Sequence, residues 1–403
     1  MQMLDGVTLS KKENDNLIPP SSSSFLTSYS AKKIKIIISL MIFISIFLII
    51  FLSVYLTRNK QSSPSAVPSY YTWCVGNCIN DKIVSTKSGV ILMGGGTDVE
   101  AAFLWQIKNA NGGDFVILRT SGADDYNPWV YNLSAFYGFP LNSVRTILFN
   151  DKSASNDNTI LTYLNNSEAF FFAGGDQSLY ISWWTNTPVQ TILQSKSRNV
   201  TLGGTSAGCA ILGGFVFTAM NDTITSNDSM LNPYDYRITL GPAFLKLPYL
   251  EKIITDTHFV ARNRMGRMIT FMSRILVDGG LPSGLSNYDV YGLGIDQKTA
   301  IVLNTTTGDS FIVGESINST AYLCSGITHG PEVCVRGKPL TFTNVTCQRL
   351  SYVEGATSMS PSSSSSTFNF NSYKGSNLVT YSNNVTKGVI NDKHYGPPGN
   401  TIC

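Results

Sequence analysis

The stretch Gly203-Gly204-Thr205-Ser206-Ala207-Gly208-Cys209 follows an apolar run in a chain that contains three histidines. A serine hydroxyl attacks at neutral pH when a base takes its proton, a partner orients that base, and donors stabilise the oxyanion that forms. Gly204-x-Ser206-x-Gly208 after a strand is the pattern of a nucleophile elbow, whose glycines permit the tight strand-to-helix turn that presents the hydroxyl. A plain glycine turn or a phosphate-cradling loop is the competing reading, and no G-x-x-x-x-G-K-[ST] accompanies the serine. Downstream, "TDTHFVARNRMGRM" carries Asp256, His258, Arg262, Arg264 and Arg267 after the strand-like "KIIT". That order would put a base and several anion-binding donors at one strand end. Upstream, "FFFAGGDQ" ends a further apolar run in glycine, so that the backbone N–H of Gly175 could join that of Ala207 in an oxyanion hole.

These residues need a frame to hold them. From about Ile83 to Val313 short apolar runs alternate with helical patterns: "GVILMGG", "FVILRT", "RTILFN", "AFFFAGG", "NVTLGGTSAG", "YGLGID" and "TAIVLN" read as strands. The intervening "DVEAAFLWQIKNA" reads as a helix with Ala101, Leu104, Trp105 and Lys108 on one face and Gly112 as its stop. Strands alternating with helices predict a mostly parallel sheet covered on both faces, with ligands at the carboxyl ends of its strands.

"GGG" at Gly94 to Gly96, "AGGDQ" at Ala173 to Gln177, "GGTSAG" around Ser206, "D-x-H-F-x-x-R-x-R-x-x-R" from Asp256 to Arg267, and "GLGIDQKTAIVL" together resemble the cyanophycinase and peptidase E family of serine peptidases. The resemblance covers roughly Ile83 to Val313. It implies an α/β fold, a three-layer sandwich of the class I glutamine amidotransferase type, with Ser206 as nucleophile and His258 as general base. It also implies that Gln177 lies at the active site and that Asp256, Arg262, Arg264 and Arg267 shape substrate binding. Members of the family cleave dipeptides with N-terminal aspartate, or the aspartate–arginine polymer cyanophycin. Two positions depart from the family pattern: Thr257 stands where many relatives have Gln in "D-Q-H", and Gln297 where they have the acid of "G-I-D-E". Gln297 thereby becomes the candidate third catalytic residue, orienting the imidazole as an amide.

The expected activity is hydrolysis of peptide bonds, Asp-containing or β-aspartyl. A non-catalytic surface or lumenal binding protein of the same fold is the alternative that Gln297 motivates. A third reading is an α/β-hydrolase esterase, with Asp289 or Asp296 followed by His329 or His394 in the chain order of that fold.

The rest of the 403 residues sets the context. "IKIIISLMIFISIFLIIFLSVYL" is long enough to cross a bilayer. Lys32, Lys33 and Lys35 flank its N-terminal end and only Arg58 and Lys60 its other end, which predicts a cytosolic N-terminus and a signal anchor of type II topology. Sequons at Asn132, Asn165, Asn199, Asn221, Asn227, Asn304, Asn318, Asn344 and Asn384 fit a glycosylated ectodomain. The expected organisation is a disordered cytosolic tail (1–33), the transmembrane anchor (34–56), a stalk (57–82), the catalytic domain (83–350) and a Ser-rich segment with C-terminal tail (351–403). Of seven cysteines, Cys209 is expected as a core thiol and Cys74, Cys78, Cys324, Cys334, Cys347 and Cys403 as disulfide formers, their pairing open. A net charge of +3 without a basic cluster beyond the N-terminal region argues against nucleic acid. Cys74-x-x-x-Cys78 without a second pair argues against a metal, and no cofactor is expected. The expected partners are a peptide substrate and the membrane, with a homodimer left open.

Overall fold

The computed structural model describes residues 26–58, 67–279, 289–326, 329–353 and 364–392. The chain divides into two units, Met1–Val67 and Pro68–Cys403. The first holds helix α1 (Leu26–Arg58), whose segment Lys33–Tyr55 is long and apolar enough to cross a membrane. A signal sequence passes the same test of length and composition. The helix starts at Leu26, inside the segment expected as a tail.

The second unit is built on two sheets, with strands numbered in chain order. The first runs β1 (Tyr70–Gly76), β4 (Ser143–Phe149), β3 (Asp114–Arg119), β5 (Ala169–Phe172), β6 (Thr201–Thr205), β2 (Gly89–Met93), β11 (Thr299–Leu303), β12 (Asp309–Gly314), β15 (Thr367–Asn369) and β16 (Lys374–Ser376). Strands β4, β3, β5, β6 and β2 are parallel, and antiparallel strands flank them on both sides. Successive residues of a strand face opposite ways, and both faces of this sheet are apolar. Ile91, Met93, Phe115, Ile117 and Phe171 pack against α2 (Glu100–Ala110) and α3 (Tyr126–Phe136). Val90, Leu92, Val116, Leu118, Phe170 and Phe172 share the opposite core with α4 (Asn158–Asn165), α5 (Gln177–Trp184) and α6 (Pro188–Lys196).

The same core takes in a second sheet, which the sequence reading did not foresee: β18 (Val389–Asn391), β17 (Val379–Thr386), β14 (Phe342–Ser351), β13 (Thr320–Ser325), β10 (Tyr291–Ile295), β9 (Ile253–Asp256), β7 (Phe215–Phe217) and β8 (Leu240–Pro242). Ile253, Leu293, Ile295 and Leu323 face the core shared with the first sheet. Ile254, Tyr322 and Val345 face away, onto α9 (Met265–Asp278). The helix–sheet–helix arrangement expected from the alternating pattern is therefore extended by a further sheet and helix. "YGLGID" pairs in the second sheet, and "TAIVLN" runs antiparallel to its neighbour β2.

Several local expectations change. Strand β1 lies within the segment expected as a stalk, and β15 to β18 within the segment expected as a tail; both segments contribute pairs to the sheets. In α2 the inward residues are Phe103, Ile107 and Ala110, whereas Ala101 and Trp105 are half-buried and Lys108 is exposed. Trp105 instead lies over the start of β2, where a Cβ on Gly89 would come within 2.3 Å of its ring. The helix stops at Asn111, left-handed at φ 53°, one residue before Gly112. Cys74 bonds Cys78, and Cys324 bonds Cys347 across β13 and β14. Cys209 and Cys334 are buried thiols; Cys403, like His394, lies outside the described residues.

Candidate active site

Strand β6 ends at Thr205, and the chain turns through Ser206 at φ 52°, ψ −117° into the short helix α7 (Ala207–Ala210). This conformation is costly for a residue with a side chain and lifts the hydroxyl out of the turn. The turn closes because position 208 has no side chain: a Cβ there would lie 2.0 Å from the Phe172 carbonyl oxygen. The Ser206 N–H donates to the Met93 carbonyl at 3.2 Å, tying the elbow to the end of β2.

His258 follows β9 and also has a positive φ, 46°. Its N–H donates to the Gly94 carbonyl at 2.7 Å, and its Nε2 lies 2.7 Å from Ser206 Oγ. A Cβ at Gly95 would come within 2.6 Å of the imidazole, which explains why the loop after β2 is glycine at this point. On the far side of the ring, Gln297 Nε2 lies 2.8 Å from Nδ1. In that orientation the amide donates to Nδ1 and holds the ring proton on Nε2, facing the serine, where it cannot accept the serine's proton. Turning the amide over brings Oε1 to Nδ1–H and frees Nε2 as the acceptor, at no cost in shape. Asp296, next in chain, points elsewhere: its Oδ1 accepts from the N–H groups of Val260 (3.0 Å) and Ala261 (3.1 Å) and fastens the loop after His258.

The arginines divide by role. Asp256 is buried and accepts from Arg267 Nε at 2.7 Å and Nη2 at 2.6 Å, with Arg264 Nη1 at 3.3 Å. Burial alone would raise its pKa, but the two guanidinium charges outweigh that and hold the carboxyl below its ordinary range. Arg267 is itself 3% exposed and also donates to Thr223 Oγ1 and the Ile224 carbonyl. It is thus committed to the protein while also lining the cavity beside Ser206. Arg264 also donates to the Thr257 carbonyl at 2.7 Å. Arg262 is exposed, and no described residue partners its guanidinium. Burial, then Arg262 and Arg264, push the His258 pKa down to about 4; Asp256 offsets this only in part.

A cavity of ≈ 280 Å³ opens beside Ser206. Gly175, Gln177, Phe217, Asp222, Thr223 and Arg262 are among the residues on its wall. Gln177 Nε2 donates to the Phe217 carbonyl at 2.8 Å, bridging the start of α5 to β7. The wall formed by Phe217 to Thr223 escaped the sequence reading, since it lies in neither glycine-rich motif and only its sequon at Asn221 marked it. Among the described residues the esterase arrangement is not assembled: Asp289 pairs with Lys252 at 2.7 Å, and His329 Nδ1 lies 2.9 Å from the Gly330 carbonyl with its ring against Phe342, while His394 lies outside them.

No protein-family profile matches the chain. It is 25% identical over 224 residues to the cyanophycinase of Geminocystis herdmanii (strain PCC 6308), covering 54% of this chain and 74% of that protein. It is 31% identical over 185 residues to the cyanophycinase of Trichormus variabilis (strain ATCC 29413 / PCC 7937), covering 45% of this chain and 54%, about half, of that relative. A crystal structure of a peptidase from an acI-B1 actinobacterium overlaps 64% of this chain and 93% of its own, at 17% identity and a TM-score of 0.40.

Proposed function

Because the chain belongs to the cyanophycinase and peptidase E family, we propose that it is a serine-type peptidase, anchored in a membrane, with its catalytic unit lumenal or extracellular. The observation that carries the reading is the 2.7 Å approach of His258 Nε2 to Ser206 Oγ at a strained elbow beside a charged cavity. Ser206 Oγ attacks the scissile carbonyl carbon while His258 Nε2 takes its proton. The resulting oxyanion accepts from the N–H groups of Ala207 and Gly175, and His258 returns the proton to the leaving amine. Water then cleaves the acyl-serine by the same proton transfers in reverse. Gln297, with Oε1 on Nδ1–H, keeps the ring in the accepting tautomer. Arg262, the uncommitted guanidinium of the cavity, binds a substrate carboxylate, which makes Asp-containing peptides the first substrates to try.

Lys32, Lys33 and Lys35, at the N-terminal end of the apolar span within α1, support a cytosolic N-terminus. Eight sequon asparagines, Asn132, Asn165, Asn199, Asn221, Asn227, Asn304, Asn318 and Asn344, are exposed, and Asn384 is half-buried, an arrangement compatible with glycans on the second unit. Incubating the detergent-solubilised full chain with a fluorophosphonate probe and mapping the adduct tests the mechanism: labelling at Ser206 is expected, and an unlabelled Ser206 in folded protein would defeat it. The specific observation favouring a second reading, a binding protein with little turnover, is the amide at Nδ1 in place of a carboxylate.

A further inference from the structure

The loop from Thr218 to Thr225, between β7 and α8 (Ser226–Leu231), puts a carboxylate on the wall of the catalytic cavity. Asp222 sits at φ 105°, outside the regions that a residue with a side chain ordinarily occupies, and Ala219 in the same loop is at φ 51°. The strain persists because the loop is fastened from two directions. On one side Thr218 N donates to the Thr239 carbonyl at 2.8 Å, Met220 N to Thr239 Oγ1 at 3.0 Å, and Asn221 Nδ2 to the Tyr236 carbonyl at 2.9 Å. On the other, buried Arg267 donates to Thr223 Oγ1 at 3.1 Å and the Ile224 carbonyl at 3.2 Å. Arg267 is in turn held by Asp256, two residues before His258. One buried ion pair therefore fixes the position of Asp222 relative to the catalytic histidine.

What is held there is a charge without a counter-charge. Asp222 Oδ1 accepts from Thr223 N–H at 2.6 Å, a bond within its own loop, and no cation among the described residues lies within ion-pair distance of its carboxylate. Arg262 is on the same wall, and the two are not paired with each other. Asp176 also lines the cavity, where it serves as the N-cap of α5, its Oδ1 accepting from the Ser178 N–H and hydroxyl at 2.8 and 2.7 Å. A cavity with an uncommitted guanidinium and an uncommitted carboxylate held apart is complementary to a ligand bearing both signs of charge.

Resting on the peptidase reading, we infer that Asp222 is a specificity-determining residue: its carboxylate binds a cationic group of the peptide substrate, an α-ammonium or a basic side chain, while Arg262 holds the carboxylate. A peptide lacking the cation leaves Asp222 desolvated without a partner, and that penalty is the source of discrimination.

The experiment measures binding rather than turnover, in full-length Ser206→Ala protein, which cannot cleave. Calorimetric Kd values are taken for four dipeptides: Asp-Arg, Asp-citrulline, N-acetyl-Asp-Arg and N-acetyl-Asp-citrulline. Asp-Arg is expected to bind tightest, and whichever single neutralisation weakens it about tenfold identifies the cation that is read. Adding Asp222→Asn, which keeps the bond to Thr223 N–H, should erase that tenfold preference, weakening Asp-Arg and, by relieving the desolvation penalty, tightening N-acetyl-Asp-citrulline. Asp222→Lys should reverse it. Equal affinity for all four peptides, or an equal loss for all of them in Asp222→Asn with the unfolding temperature unchanged, overturns the assignment. Discrimination by Asp222 in a chain whose wild-type Ser206 fails to label would leave the cation site standing and remove the peptidase reading; labelling without discrimination would do the opposite.

Discussion

Acids are buried at both kinds of strand end, the carboxyl end of β9 in the second sheet and the amino ends of β3 and β5 in the first, and they are treated oppositely. At the carboxyl end Asp256 meets two guanidinium groups and stays charged. At the amino end Glu168, 4% exposed, faces Asp114 and Asp81, with Lys196 as the cation nearby. Its Oε2 accepts from the Asp114 N–H at 2.8 Å, and Asp114 in turn accepts from Asn142 Nδ2 and Lys82 N–H, both at 2.8 Å, and from the Ser143 hydroxyl. The amino end thus closes the strand starts with a carboxyl that burial pushes up to about 7. The carboxyl end spends a full ion pair to fix a loop and a histidine. Polar groups at the first end satisfy backbone; at the second they set the distance between reactive groups.

If that division holds, the largest effect on activity comes from a change that hardly touches stability. Ser206→Ala removes one oxygen from a turn whose backbone bonds remain. It is expected to lower kcat/KM about 10³-fold or more while the unfolding temperature stays put, as read by calorimetry beside the peptidase assay. Hydrolysis surviving in this variant would dismiss the serine as nucleophile.

The largest effect on stability should also fall at the carboxyl end. Asp256→Asn leaves the buried Arg267 without its counter-charge, a loss of about 3–5 kcal/mol by urea unfolding. Asp114→Asn at the opposite end removes one acceptor from a set of neutral donors and should cost about 1–2 kcal/mol. Comparable losses at the two sites would erase the distinction between them.

Gln297→Glu probes the histidine directly. A carboxylate on Nδ1–H stabilises the imidazolium that forms as the serine attacks, which an amide cannot do. The variant is expected to raise kcat/KM about tenfold, roughly 1.4 kcal/mol of barrier. It should also move the acid limb of the pH profile upward, because activity needs neutral imidazole. In the wild-type chain that form persists down to about pH 4, where burial and Arg262 place the His258 pKa. Equal rates and an unmoved limb would mean that the amide suffices.

What could be read from sequence follows the range of the interactions involved. The elbow at Ser206, the strand before His258 and the parallel strands are local patterns of glycine spacing and apolar runs, so they were visible. Gln297 stood out against its family motif, and its place at Nδ1 is where the resemblance would put it. The role of Arg267 was hidden because an arginine in a motif looks the same whether it meets substrate or a buried aspartate 2.6 Å away. Asp222 was invisible because its importance lies in a φ of 105° and in the bonds from Arg267, itself held by Asp256, to the next two residues of its loop, neither of which has a sequence signature. The second sheet was missed because β7, β8 and β18 are only three residues long and β17 is set within Ser- and Asn-rich sequence.

The smallest effect expected is a pH dependence at the amino end. Burial raises the Glu168 pKa from an ordinary 4.5 to about 7, against the backbone bond from Asp114 N–H and the charge of Lys196, which act to lower it. An acid whose folded pKa lies above its unfolded one binds more protons when folded, so it favours the fold in the protonated form. Its contribution is complete below about pH 4.5 and is lost as pH rises through about 7. Glu168→Gln imitates the protonated acid at every pH, keeps an acceptor for the Asp114 N–H and adds no charge. The unfolding temperature of the wild-type chain should therefore fall by a few degrees between about pH 5 and about pH 8, and that of the variant should fall less, the two meeting at the acid end. Parallel curves for the two proteins would show that Glu168 is ionised in the fold already at pH 5, and that the amino end, like the carboxyl end, holds its buried acid as an anion.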